Sequence, residues 1–67
     1  MIIHNVSDEA TRTYIYDTGL EIVIDQPKQV IIQDDPDEHR VTTYSHGNYL
    51  VKPGWVCVRW INKEGIN

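Results

Sequence analysis

Six consecutive positions, Asp34 to His39, hold four carboxylates and a histidine. Four kinds of chemistry fit such a run. A calcium loop places oxygen ligands at alternate positions and needs a glycine for its sharp turn. Asp35, Asp37 and His39 do alternate, but Pro36 stands between the first two and no glycine follows. Zinc would accept His39 with carboxylates, yet His4 and His46 would have to be supplied from other parts of the fold. Acid–base catalysis needs paired carboxylates whose surroundings drive their pKa values apart, which requires a cleft. A solvated tip between two strands does the opposite. The remaining reading is a turn, because Asp and Pro favour turns through side-chain bonds to the local backbone and a preset φ. A functional acidic surface is the alternative to a bare turn. Asp34, Asp35, Asp37 and Glu38 could imitate phosphates and occupy a basic, nucleic-acid-binding groove on a host protein, making the chain an inhibitor.

Other reactive side chains are scattered. Ser45 precedes His46 without a placed acid or an oxyanion hole, and no nucleophile elbow, phosphate loop or HExxH motif occurs. Cys57 falls in the middle of an apolar run, where a small filler is the expected role. His39 and His46 read as strand-start and turn residues. No catalytic residue, metal ligand or cofactor site is expected, and the chain reads as non-enzymatic.

Contact residues form a second class. Four tyrosines and two tryptophans are present and phenylalanine is absent. Tyrosine and tryptophan must therefore supply the bulky core, with Trp60 and Ile15 expected inside. Tyr14 and Tyr16 share one face of their strand and are expected on the outside, where with Trp55 they would anchor a protein partner or a second copy. Stacking on single-stranded nucleic acid is a further alternative for a small barrel. It normally comes with a basic track, and Lys28, Arg40, Lys52, Arg59 and Lys63 are dispersed. With a net charge of −4, nucleic-acid binding is not expected.

The elements that must position these residues are strands. Valine, isoleucine and threonine make up 21 of 67 residues, against 3 for alanine and leucine together. Branched side chains lose rotamer freedom in a helix and pack well on a pleated surface. Alternation and turn residues predict strands at about 2–6, 12–17, 20–25, 29–33, 40–45, 49–51 and 55–61. In the third, Leu20, Ile22 and Ile24 share a face. Tight turns are expected at Gly19 and Gly47, a bend or an edge at Pro27, and a looser connection at Pro53–Gly54. Both faces of the last run, WVCVRWI, are apolar, which predicts a central strand. One helical turn at most is expected, near residues 7–12, where Ser7 and two acids resemble a helix start. The fold class is all-β, with five to seven short antiparallel strands in a meander or a small, partly open barrel. Residues 1–62 should form a single domain and 63–67 a frayed tail.

Size narrows the function classes further. A chain this short buries only about 60% of the surface its unfolded form exposes. Its single cysteine offers no internal disulfide and no cysteine-based zinc knuckle. The opening MIIHNVSDEA has neither a basic n-region nor an apolar h-region, and no apolar stretch reaches the ~20 residues that span a bilayer. A cytoplasmic protein with no membrane association is expected. Scarce core material and exposed edges favour a homo-oligomer.

Residues 39–60, HRVTTYSHGNYLVKPGWVCVRW, follow one order. A His-Arg-Val strand, a Gly turn, a Tyr strand, a Pro-Gly turn and a Trp-bearing strand succeed one another. This run resembles small all-β proteins encoded by phages and prophages, whose function is unknown. The resemblance is one of composition and transfers no active site. It implies an accessory protein acting by contact in the cytoplasm of the host cell.

Overall fold

The computed structural model describes residues 1–34, 37–45 and 47–63. Among these described residues seven strands occur in order: β1 (Ile2–Asn5), β2 (Glu9–Tyr16), β3 (Glu21–Asp25), β4 (Pro27–Asp34), β5 (Asp37–Thr43), β6 (Asn48–Val51) and β7 (Trp55–Asn62). All pairings are antiparallel. They form a four-stranded sheet, β1-β4-β5-β6, and a three-stranded sheet, β3-β2-β7. The fold class read from the sequence is correct, but the sheets face each other and do not close into a barrel. Only β4-β5-β6 is a meander of neighbouring hairpins.

Period-two alternation sets the core. Val30 pairs with Val41 and Val41 with Tyr49, so the larger sheet turns one row of side chains inward. The smaller sheet meets it with Tyr14, opposite Ile22, and with Ile24. Val6, Tyr14, Ile24, Val30, Val41 and Val51 are buried, and Tyr16, Ile32, Tyr49, Trp55 and Val58 pack around them.

The turns behave as their residues dictate. Gly19, at φ +94°, lies in the β2–β3 hairpin, where Tyr16 N donates to Leu20 O at 2.9 Å. In the β5–β6 hairpin Thr43 N donates to Gly47 O at 3.0 Å. The chain changes sheet three times: through Val6–Asp8, at Gln26, and through Lys52–Gly54.

Several expectations are corrected. Residues 7–12 contain no helical turn: Ser7 and Asp8 form a turn and Glu9 begins β2. Asn5 Oδ1 accepts from both Ser7 N (2.8 Å) and Ser7 Oγ (2.7 Å), so the serine is held by a local turn and cannot cap a helix. Trp60 is not core but 54% exposed, and Ile15 is half-buried on the outer face. Leu20 precedes β3 and is 59% exposed. The last strand is an edge; the central strand of its sheet is β2. At the C-terminus, Lys63 N donates to Asp8 O at 2.8 Å. Residues 64–67 of the expected tail lie outside the described residues, as does His46.

Candidate functional site

The described part of the acidic stretch lies at the paired ends of β4 and β5. Asp34 ends β4, Asp37 begins β5, and the two are register partners, both exposed. Asp35 lies outside the described residues. Glu38 is half-buried, and Lys52 Nζ lies 3.2 Å from its carboxylate. This pair offsets one of the charges that an acidic decoy would present. Among the described residues no group of three His, Cys, Asp or Glu side chains is placed to hold a metal ion.

The three aromatic anchors expected outside turn inward. Tyr14 is fully buried, and Tyr16 and Trp55 are half-buried. The Trp55 ring lies 5.2 Å from that of Tyr14 and 4.7 Å from that of His39. The correction has a physical cause. β2 is flanked on both sides, so its inner face looks onto the opposite sheet, and without phenylalanine a tyrosine must fill that space. Its hydroxyl then needs partners. Arg12 Nε donates to Tyr14 Oη at 3.1 Å, and Tyr14 Oη lies 2.7 Å from His39 Nδ1. Tyr14 Oη and His39 Nδ1 thus share one hydrogen bond across the two sheets, whose donor is set by the imidazole tautomer. Arg12 Nη1 in turn lies 3.0 and 3.3 Å from the two oxygens of Glu9.

This chain, Glu9–Arg12–Tyr14–His39, was not legible as a unit, and His39, expected at the surface, is half-buried. Burial raises the Glu9 pKa more than Arg12 lowers it. Burial also raises that of Tyr14. The His39 pKa is lowered first by burial, then by the Arg12 charge and by His4, against a contrary pull from Asp37. The network is closed: no buried polar side-chain atom among the described residues lacks a partner. It holds the two sheets in register. Beside it runs a cleft of about 280 Å³ lined by His4, Asn5, Glu9, Arg12, Ile32 and Trp60.

The more distinctive surface is the outer edge of β7. Among the described residues no strand pairs with that side. The direction of its free groups follows from the ladder. Tyr16 N bonds Leu20 O, and Ala10 O accepts from Gln26 N, so the even residues of β2 turn their backbone toward β3. Thr11, Thr13 and Ile15 therefore face β7, where their partners are Ile61, Arg59 and Cys57. Val58 and Trp60 lie between these, and their N–H and C=O groups point away from the sheet. Exposed apolar side chains line the strand: Val56 is 66%, Trp60 54% and Ile61 57% exposed. Cys57 is also exposed. A second hollow of about 360 Å³ wraps this edge, bounded by Ile15, Cys57, Val58, Arg59 and Trp60.

The other free edges are short or charged. β1 and β6 have four residues each, and β3 has five, with Glu21 and Asp25 at its ends. β7 has eight and a single charge, Arg59. Natural sheets blunt their edges with brevity and charge, because an exposed row of N–H and C=O groups templates strand pairing. The apolar run on both faces of β7 was visible in the sequence but fitted a central strand equally well. No protein-family model, curated protein or solved structure matches the chain.

Proposed function

We propose that this chain is a non-enzymatic interaction module that binds protein by adding an extended strand to the free edge of β7. The observation that carries the reading is the eight-residue edge, apolar on both faces, with the backbone groups of Val58 and Trp60 turned outward. In strand addition, main-chain hydrogen bonds supply affinity, and pockets for alternate side chains supply selectivity. The hollow around Ile15, Arg59 and Trp60 is such a pocket. An accessory role in a phage or prophage, in the cytoplasm of the host cell, is the setting that the sequence resemblance offers for a module of this kind.

Selection from a library of random peptides tests the reading. Extended, apolar peptides should bind the wild-type chain. Trp60→Pro removes an N–H that points away from β2, so it leaves the β2–β7 ladder in place while blocking the edge. Binding should be lost in Trp60→Pro and kept in Leu50→Ser, which alters an exposed residue of the other sheet. Binding that survives Trp60→Pro and fails in Leu50→Ser would move the site to the outer face of the larger sheet. Selection of no extended peptide would end the strand-addition reading.

A further inference from the structure

The β7 edge is complementary to itself, and from this we infer that its occupant is a second copy of the chain, paired antiparallel about a twofold axis at Arg59. The inference rests on the strand-addition reading and names its partner. In an antiparallel pair, residues whose backbone groups face the partner must meet residues of the same kind. With the axis at Arg59, Val58 meets Trp60 of the second copy and Trp60 meets its Val58. Each of these pairs exchanges two hydrogen bonds, four in all. Side-chain sizes also match. Val58 lies beneath the indole of the other copy, and Cys57 lies opposite its Ile61. The two most exposed large side chains in the regular part of the edge, Trp60 and Ile61, are covered together.

Charge decides between this arrangement and an unlike partner. The axis sets Arg59 against its own image, and like charges directly opposite are unfavourable. Arg59 Nη2, however, lies 3.6 Å from Glu21 Oε1 of its own chain. Each guanidinium is therefore drawn back across β2 toward a carboxylate on β3, away from the axis, and is neutralised within its own chain. The product is one six-stranded sheet, β3-β2-β7 continued by its mirror order in the second copy. Its outer edges are the two β3 strands, short and ended by Glu21 and Asp25. Growth therefore stops at the dimer. The contact is small for a specific interface, so the dimer forms at high protein concentration.

Two measurements test the inference separately from the reading beneath it. Amide exchange at Val58 and Trp60 should be fast in dilute solution and about tenfold or more slower in concentrated solution, where light scattering should show twice the mass. Fast exchange and a single-chain mass at both concentrations would leave the free edge standing and sink the second copy. Slow exchange in the dilute monomer would show the edge already covered and sink both. The register is read by Ile61→Cys. Within one chain positions 57 and 61 are about 13 Å apart along the strand, too far for a disulfide. Across the axis Cys57 faces position 61, so mild oxidation should give a covalent dimer joined 57 to 61. The same variant with Cys57→Ser should give none. Links of 57 to 57 or 61 to 61, or no covalent dimer, would overturn the pairing.

Discussion

His39 shows how a single side chain can hold two sheets together while staying outside the reach of sequence reasoning. Its ring stands edge-on to Tyr14, with 5.5 Å between centroids, and its Nδ1 lies 2.7 Å from the tyrosine hydroxyl oxygen. A charged imidazole would be disfavoured first by its burial and then by the nearby Arg12 guanidinium. Its folded pKa is accordingly below its unfolded value. The unfolded chain then binds the proton more readily, so the stability from neutral His39 is complete above the unfolded pKa of about 6.5 and is lost as pH falls through it. Glu9 has the opposite sign, since its folded pKa is raised, and it acts at lower pH in the carboxylate range. The melting temperature of the wild-type chain should therefore fall between about pH 7.5 and about pH 5.5. His39→Gln keeps an acceptor for Tyr14 without a titrating proton, and its melting temperature should be flat across that interval. Equal slopes in the two proteins would show that His39 does not carry the effect. Alternation did reveal that Tyr14 and Tyr16 share a face and that Ile15 takes the other. Which face is inside depends on the opposing sheet, and no residue near His39 in the chain announces that Tyr14 will meet it.

Elements were more legible than their arrangement. The seven strands follow from branched residues, alternation and punctuation, and Gly19 and Gly47 take the positive φ that their turns demand. The partition into two sheets was hidden, because a hairpin and a sheet-to-sheet bend use the same residue types. The QPK interruption is the instructive case. Pro27 was readable as a bend, but the turning residue is Gln26, at φ +54°. Gln26 N donates to Ala10 O in one sheet, and Gln26 O accepts from Tyr44 N beside the other. One residue thus joins the layers, and its left-handed backbone costs about 1–2 kcal/mol for a side chain with a Cβ. Gln26→Gly should relieve that strain and leave the denaturation midpoint unchanged or higher, since glycine also loses more chain entropy on folding. Gln26→Val places a β-branched residue at the same φ and should destabilise by about 1–3 kcal/mol. Urea titrations of the two variants measure this. A Gln26→Val midpoint equal to that of the wild type would mean that the left-handed turn does not set the crossover.

At the scale of the whole molecule the unresolved tension is between core and surface. Among the described residues six hydrophobic side chains form the buried core, while ten large apolar side chains remain exposed. A single small core of this kind supplies little stability on its own. Composition made that shortage legible; it could not say which strands end at a free edge, because strand order is set by pairings distant in sequence. Covering β7 with a second copy removes Trp60 and Ile61 from water and satisfies Val58 and Trp60 without enlarging the chain. The consequence is thermodynamic linkage: whatever binds the folded state alone stabilises it by mass action. For a folded dimer and an unfolded monomer, each tenfold rise in concentration above the dissociation constant adds about 0.7 kcal/mol per chain. For a domain of this size that is about 3–6 °C in melting temperature. Calorimetry over a hundredfold range of concentration should therefore show a rising transition in the wild type. In Trp60→Pro, whose edge cannot pair, the transition should stay fixed. A wild-type transition that does not move would mean that this small core is sufficient by itself, and that the long apolar edge of β7 is tolerated without being used for self-pairing.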